Sequence, residues 1–223
     1  MLLFLLACAP KVPPVEPMPP VVIADPAESR AADAIALPLV EAMAQAYGEG
    51  DTGRALALGQ QVLREAPSSQ YARLASEWLA LLATFGQPAP DLTVDHWFQG
   101  EAPASPVATL YVFFEAWCPH CQDEMPTMQA VATDYGSRSL AVVGLTRVTR
   151  GLADADVVTF LAERSITFPV AKERDSSMTE AWSIEGIPAL VIVRDGKIAW
   201  RGHPSLLTTT VLDAVTTPFP DRP

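Results

Sequence analysis

The spacing of apolar residues changes near residue 87. Before that point, apolar positions recur every three to four residues, as on one face of a helix. Breaks at residues 48–51 and 67–69 separate three such stretches, and Asp51 or Thr52 is suited to cap the second. The apolar positions are Leu37, Val40, Ala44 and Tyr47, then Ala55, Leu58, Val62 and Leu63, then Leu74, Trp78, Leu81 and Leu82. Residues 27–86 are therefore predicted to form an all-α unit.

Beyond a proline-rich boundary at residues 87–91, short apolar runs alternate with helical patterns. Strands are predicted at 92–97, 110–114, 140–145, 168–171, 189–193 and 198–200, and helices at 118–134, from 154, at 176–182 and at 205–215. Asp195-Gly196 between the last two strands indicates a hairpin. This order predicts an α/β domain over residues 87–217, with a mixed sheet covered on both faces. Residues 218–223 are predicted to be a disordered tail.

A Cys-x-x-Cys segment, Cys118-Pro119-His120-Cys121, stands between a predicted strand and a predicted helix. A cysteine at a helix N-terminus meets unpaired N–H groups and the positive end of the helix dipole, which stabilise a thiolate. The second cysteine lies about one turn further on, close enough to form a disulfide. Cys118 is therefore predicted to be a nucleophile, and Cys121 to resolve the mixed disulfide that it forms.

The neighbouring residues fit this chemistry. His120 is predicted to stabilise the Cys118 thiolate, which makes the disulfide a stronger oxidant. Pro119 removes one N–H and stiffens the turn. Trp117 is expected to shield the pair and to contact substrate chains, with plain packing as the alternative. No cofactor is expected beyond the cysteine pair itself.

A structural disulfide or half of a metal site is the alternative use of the pair. A tetrahedral zinc site needs four ligands. The histidines at positions 96, 120 and 203 stand in no ligand spacing, so no metal is expected. His96 and His203 are interpreted as surface or packing residues.

The third cysteine, Cys8, follows a short apolar run at residues 1–7. Leu5-Leu6-Ala7-Cys8 resembles a bacterial lipobox, in which the cysteine is acylated and becomes the mature N-terminus. The resemblance implies a membrane anchor, and Ala9 slightly favours the outer membrane of a Gram-negative cell. A cropped transmembrane helix or an ordinary signal peptide is the alternative, but the run is too short for a span and lacks a basic n-region.

Composition narrows the range of partners. Seven prolines in residues 9–26 predict an extended tether behind Cys8. The formal net charge of −11 argues against nucleic-acid binding and against direct attraction to anionic lipids. No stretch after the leader approaches the length of a membrane span.

The order of elements, with Cys-x-x-Cys opening the first helix of the α/β domain, resembles the thioredoxin fold. Residues 113–118, Phe-Phe-Glu-Ala-Trp-Cys, are similar to the approach to its active site, and Gly186-Ile187-Pro188 is similar to its cis-proline loop. An extra strand and helix between residues 140 and 171 resemble the insertion of the TlpA/ResA branch, which are membrane-tethered thiol–disulfide oxidoreductases. The resemblance covers about residues 88–215. It implies that Pro188 is cis and positions Ile187 to pair with an extended substrate beside Cys118.

Two departures from the thioredoxin pattern matter. Val112 stands where ordinary thioredoxins carry a buried aspartate that assists proton removal. Glu115 is either a substitute proton relay or a solvated loop charge. The dipeptide Pro119-His120 matches the strongly oxidising DsbA family, whereas the TlpA/ResA resemblance points to a reductase. The direction of exchange is therefore open.

The all-α unit at residues 27–86 resembles one tetratricopeptide (TPR) unit. A free-standing solenoid needs about three such repeats. The unit is interpreted either as a three-helix cap packed on the α/β domain or as a dedicated peptide-binding module.

The leading functional hypothesis is a lipid-anchored, cell-envelope thiol–disulfide oxidoreductase. Its expected partners are protein thiols or disulfides, a redox partner that resets the cysteine pair, and the membrane through Cys8. The alternative is an envelope interaction lipoprotein that uses the helical unit, with the thioredoxin-like domain as a scaffold. A thiol peroxidase is a third, weaker hypothesis, because the chain lacks the Pro-x-x-x-Thr/Ser-x-x-Cys site of such enzymes.

Overall fold

The computed structural model describes residues 26–104, 106–138 and 140–217. The predicted lipidation site Cys8, residues 9–25 of the predicted tether and the tail at residues 218–223 lie outside the described residues. Pro26, the last residue assigned to the tether, is instead the first residue of a helix, where a proline leaves no helical hydrogen bond unmade. In the part that is described, no helix combines the length and the apolar character needed to cross a membrane.

Three helices form the N-terminal region, as predicted: α1 (Pro26–Gly48), α2 (Thr52–Glu65) and α3 (Tyr71–Leu82). The Asp51 side chain caps α2 by accepting a hydrogen bond of 2.9 Å from the Arg54 N–H. The predicted apolar face of α1 is partly wrong, because Leu37 is 42% exposed. The buried face instead follows Ala36 and Met43, and one residue along a helix turns the side chain by about 100° away from it.

The α/β region contains a mixed sheet of six strands in the order β1-β4-β3-β2-β5-β6. The strands are β1 (Val94–Gln99), β2 (Ala108–Phe114), β3 (Leu140–Thr146), β4 (Val170–Glu173), β5 (Ala189–Arg194) and β6 (Lys197–Gly202). The β2–β3 and β3–β4 pairs are parallel, and the β1–β4, β2–β5 and β5–β6 pairs are antiparallel. This arrangement confirms the predicted mixed sheet.

Four helices accompany the sheet: α4 (Pro119–Gly136), α5 (Asp154–Glu163), α6 (Ser177–Ala181) and α7 (Thr209–Thr216). Alternate residues of β2 face two different cores. Leu110 belongs to the core that contains residues of α4, α5 and α7, whereas Phe113 belongs to the core that contains Met178 of α6. Both faces of the central strand are therefore covered by helices, as predicted.

The single final helix predicted at residues 205–215 is wrong. The structure has a 3₁₀ turn at Pro204–Leu206 and then α7. Thr208 separates them because its backbone is extended and its hydroxyl accepts a hydrogen bond from the Val211 N–H at 3.3 Å. A threonine N-cap thus starts a new helix inside the predicted one.

The three N-terminal helices form a cap that shares its core with the sheet. Met43 and Tyr47 of α1 lie in the same buried cluster as Leu110 of β2 and Trp200 of β6. The Tyr47 ring stacks on Trp200 with centroids 5.9 Å apart, and its hydroxyl donates a hydrogen bond to the Arg201 carbonyl. Burial raises the pKa of Tyr47, so this donor stays protonated. The helices are therefore fixed against the edge of the sheet that carries β6.

Candidate active site

The two cysteines lie where β2 has ended and α4 begins. Cys118 is the N-cap residue of α4, with an extended backbone (φ −79°, ψ 117°), and its carbonyl accepts the Gln122 N–H at 3.0 Å. Its own N–H donates to the Glu115 carbonyl at 3.0 Å. Pro119 occupies the first helical position, where a missing N–H leaves no helical hydrogen bond unmade. The predicted helix start at the Cys-x-x-Cys segment is confirmed.

Burial differs between the residues of this segment. Cys121 is fully buried and Cys118 is 5% exposed, and both are free thiols. The two residues between them, Pro119 and His120, are exposed. A molecule that approaches from solvent therefore meets Pro119, His120 and the edge of Cys118 before it reaches Cys121.

The buried thiol has a strongly shifted proton affinity. Burial raises the pKa of the Cys121 thiol to about 12. The Cys118 side chain and the Glu115 carboxylate act in the same direction, and a backbone hydrogen bond to Glu115 acts against them. At neutral pH Cys121 is therefore held as the protonated thiol. Cys121 is thus the enclosed, protonated thiol of the pair, and Cys118 lies at the surface of the site.

Glu115 is a buried charge behind the cysteines, which shows that the interpretation as a solvated loop charge is wrong. It is 2% exposed. Its Oε1 lies 2.5 Å from a guanidinium nitrogen of Arg147, and its Oε2 accepts hydrogen bonds from Trp117 Nε1 at 2.5 Å and from the Thr149 hydroxyl. The sheet explains the burial, because the register that pairs Phe114 with Thr146 places the residues after β2 and β3 side by side.

Trp117 is held in place by two hydrogen bonds and a cation. Besides Glu115, its Nε1 donates to Thr149 Oγ1 at 3.0 Å. The guanidinium carbon of Arg150 lies 3.5 Å from the centroid of the indole ring, which is a cation–π contact. Half-buried Trp117 packs against the core cluster that contains Cys118 and Cys121. This placement agrees with shielding of the pair, while contact with substrate stays a prediction.

The cis-proline prediction is confirmed, since the Ile187–Pro188 peptide bond is cis. Pro188 is buried and directly precedes β5, whose Ala189 pairs with Phe113 near the end of β2. Half-buried Ile187 packs on the cluster that contains both cysteines. In the described part of the chain, neither the N–H nor the carbonyl of Ile187 makes a backbone hydrogen bond, so both are available to an extended chain.

The sequence model of the AhpC/TSA family matches residues 85–201, which is more than half of the chain. The chain belongs to the AhpC/TSA family. The matched region contains Cys118, Cys121 and the Ile187–Pro188 loop.

The curated relatives that the chain matches are thiol–disulfide oxidoreductases by name. A thiol-disulfide oxidoreductase ResA of Bacillus cereus is 26% identical over 87 residues, which are 39% of this chain and 49% of that protein. Sporulation thiol-disulfide oxidoreductase A of Bacillus subtilis is 25% identical over 87 residues, which are 39% of this chain and 53% of that protein. The chain spans about half the length of the curated relatives it matches.

Two solved structures establish the fold. A thiol-disulfide isomerase from Corynebacterium glutamicum superimposes with a TM-score of 0.51 at 22% identity, covering 58% of this chain and 93% of that one. A thioredoxin-like protein, solved in solution in its oxidised form, gives a TM-score of 0.51 at 23% identity, covering 58% and 95%. These similarities confirm the predicted thioredoxin fold. The TPR-like character of α1–α3 stays a prediction.

Sequence reasoning missed three residues of this AhpC/TSA-family site: Arg147, Thr149 and Arg150. They follow the apolar run of β3 without an intervening break. Their position could have been predicted, because the apolar stretch before these residues and the apolar stretch before the Cys-x-x-Cys segment both predict buried strands. Parallel pairing of those strands brings their carboxyl ends together.

The other two histidines make their polar contacts with residues other than the cysteines. His96 Nδ1 is 3.2 Å from Asp95 and its Nε2 is 3.3 Å from Asp154, both on partly exposed side chains. His203 Nδ1 lies 2.9 Å from the Ser205 hydroxyl. Across the described ranges, no three His, Cys, Asp or Glu residues form a group that could hold a metal ion.

Replacement of Glu115 by glutamine is expected to lower the pKa of Cys121. Removal of a negative charge makes the Cys121 thiolate less unfavourable, although burial keeps its pKa above that of an ordinary thiol. The variant also leaves Arg147 without its partner, so the free energy of unfolding should fall by about 2 kcal/mol. The measurements are a pH titration of ¹³Cβ-labelled cysteine by NMR and urea denaturation.

Asp123→Asn is the matched control for Glu115→Gln. Asp123 lies two residues from Cys121 but is exposed and makes no ion pair in the described structure. It should leave both the pKa and the stability nearly unchanged. An unchanged Cys121 pKa in Glu115→Gln would contradict the electrostatic coupling between these two side chains.

Proposed function

We propose that this chain is a thiol–disulfide oxidoreductase that exchanges disulfides with protein thiols. The observation that carries the proposal is the placement of Cys118 at the N-terminus of α4, one turn before buried Cys121. Ile187 of the cis-proline loop, whose backbone groups make no backbone hydrogen bond in the described structure, packs on the cluster that contains both cysteines. The names of the relatives in Bacillus support the same chemistry.

Reduction of a client begins at Cys118. Its sulfur, as a thiolate, attacks one sulfur of the client disulfide, and the other client sulfur leaves with the electron pair as a thiolate. A mixed disulfide now joins Cys118 to the client. The free N–H and carbonyl of Ile187 are placed to hold the client backbone in an extended form during this step.

The second step uses Cys121. It loses its proton and attacks the Cys118 sulfur, which releases the second client thiol and leaves a Cys118–Cys121 disulfide. The two electrons have then passed from the cysteine pair to the client. Once Cys118 is in the mixed disulfide it carries no charge, so its contribution to the raised pKa of Cys121 disappears. Formation of the mixed disulfide therefore makes the resolving step easier.

Oxidation of a client uses the same residues in reverse, starting from the Cys118–Cys121 disulfide. A redox partner must then reset the pair, and no cofactor takes part. Pro119 and His120 follow Cys118 directly in the chain and are exposed, so we expect an approaching client to meet them first. Stabilisation of the Cys118 thiolate by His120 is part of the proposal. Glu115 is assigned as a positioning residue, because donors from Arg147, Trp117 and Thr149 occupy its two oxygens.

The proposed location is the cell envelope, with lipid chains on Cys8 as the anchor. The support is the likeness of Leu5-Leu6-Ala7-Cys8 to a lipobox and the proline-rich stretch behind it. A tether of the 17 residues 9–25, if extended in polyproline form, would span roughly 50 Å and would hold the catalytic domain clear of the lipid headgroups.

Substitution of Cys121 by serine is expected to trap the client. Cys118 still attacks, but no thiol resolves the mixed disulfide, so adducts should accumulate that disappear on a non-reducing gel after treatment with a reductant. Cys118→Ser should form no such adducts and should reduce exchange by at least about 10³-fold, because the reactive thiolate is lost. Cys8→Ser is the control that should retain exchange. Full activity of Cys118→Ser would refute the proposed mechanism.

Substitution of Cys8 by serine is expected to release the protein from membranes in a bacterial host. Loss of the acyl chains removes the main membrane attraction of a chain with a net charge of −11. The measurement is incorporation of radiolabelled palmitate together with fractionation, and Cys118→Ser should remain labelled and membrane-bound. Equal labelling of Cys8→Ser and the unchanged protein would rule out this anchor.

A further inference from the structure

A groove with a volume of about 710 Å³ separates α3 from the loop that carries the cis-proline. Leu74, Trp78 and Leu81 line it from α3, and residues 183–190 line it from the other side. One wall of the groove thus belongs to the helical cap, and the other belongs to the candidate active site.

The α3 wall is the outer margin of the apolar face of this helix. Positions 74, 78 and 81 lie on one side of the helix, since they are four and three residues apart. The buried residues Ala75 and Leu82 adjoin them, and Trp78 and Leu81 pack against the edge of the core. Leu74 is 37% exposed and Trp78 and Leu81 are half-buried, so α3 presents apolar surface to the groove.

The opposite wall contains the groups that the proposed exchange reaction uses. Ile187 and Pro188 both line the groove, and Ile187 also packs on the cluster that contains the two cysteines. Gly186 leaves open space, because an added Cβ would meet no atom within 4 Å. Because Ile187 itself lines the groove, a chain that pairs with its backbone lies at the groove.

The two walls are held at a fixed separation. Trp78 of α3 packs edge-on against Tyr47, with ring centroids 5.1 Å apart, and Tyr47 is bound to β6 through the Arg201 carbonyl. After α3, the Gly86 N–H donates to the Ile198 carbonyl at 2.8 Å. The groove is consequently formed before any ligand arrives, which reduces the entropy lost on binding.

Most charged groups of the groove are already paired. Arg201 donates to the carbonyls of Trp182 at 2.8 Å and Ser183 at 3.1 Å. Glu77 lies 3.4 Å from Arg73 of the same helix. Exposed Glu185 adds a negative charge to the rim. An apolar ligand that carries no acidic groups fits these walls best.

We propose that the groove binds the segment of a client polypeptide that flanks its reactive cysteine, as an extended chain with apolar side chains against Leu74 and Trp78. This inference rests on the proposed function and adds a substrate class to it: cysteines in exposed, apolar segments of unfolded or partly folded proteins. The helical cap is then part of the substrate site, because α3 supplies the wall that selects the client.

The test compares two short peptides, each with one central cysteine joined to thionitrobenzoate. One peptide carries leucines on both sides of the cysteine, and the other carries serines. The reduced protein, with Cys8→Ser so that two thiols remain, attacks the peptide sulfur and releases coloured thionitrobenzoate. Cys121 then releases the peptide thiol as the protein disulfide forms. Glutathione disulfide, whose polar chains offer no apolar flank, serves as the reference substrate.

Leu74→Glu is the decisive variant, and Leu56→Glu of α2 is its matched control. Leu56 is 38% exposed and does not line the groove, so both variants place the same charge at equally exposed helical sites. We expect Leu74→Glu to lower the rate of reaction with the leucine peptide about tenfold, equivalent to about 1.4 kcal/mol. The rate of reaction with glutathione disulfide should change little. Leu74→Ser, which adds no charge, should lower the rate with the leucine peptide about threefold. Leu56→Glu should change neither rate.

Equal rates of Leu74→Glu and Leu56→Glu with the leucine peptide would overturn the inference. So would a change in sedimentation mass on Leu74→Glu without a change in the peptide rate, because the groove would then be an interface between two copies of the chain. Failure of the unchanged protein to react with glutathione disulfide would instead overturn the proposed function. The two failures are therefore distinguishable.

Discussion

The geometry of the site depends on the ion pair between Glu115 and Arg147. The parallel register of β2 and β3 opposes Phe114 and Thr146, so the next residue of each strand emerges beside the other. A buried carboxylate without a partner costs several kcal/mol, and here Arg147, Trp117 and Thr149 supply the donors. The loop between β2 and α4 is therefore held in one conformation. That conformation places Cys118 at the N-cap of the helix.

The same environment makes the two cysteines unequal. Cys118 lies at the edge of the buried region, whereas Cys121 is enclosed and its pKa is raised to about 12. A single thiolate at a time is the electrostatically favoured state, since a charge on Cys118 opposes a second one on Cys121. Attack from Cys118 followed by resolution from Cys121 is the order that this asymmetry supports. In the proposed reaction the client lies along the Ile187–Pro188 loop, next to a wall that the helical cap provides.

Local signals were enough to predict the sheet and the helix start at Cys118, and the resemblance to thioredoxins added the cis bond before Pro188. Continuous apolar runs marked the strands, and the Cys-x-x-Cys segment stood between one of them and a helical pattern. The burial of Glu115 was not predictable in this way, because it depends on Arg147, which is 32 residues away in the chain. The groove likewise depends on Tyr47 binding the Arg201 carbonyl across 154 residues. Periodicity also placed Leu37 on the wrong face of α1, since several apolar stripes share that alanine-rich helix.

A redox titration of this chain carrying Cys8→Ser tests most directly whether Cys118 and Cys121 form a redox-active pair. The protein is equilibrated with glutathione redox buffers, exchange is quenched with acid, and the mass of the protein is measured by mass spectrometry. We expect one transition in which two hydrogen atoms are lost, with a midpoint between about −120 and −270 mV. A midpoint near the first value makes the protein a donor of disulfides, and one near the second makes it a reductant. Two thiols at every buffer ratio, or separate glutathione adducts on Cys118 and Cys121, would show that the two cysteines are not a redox-active pair.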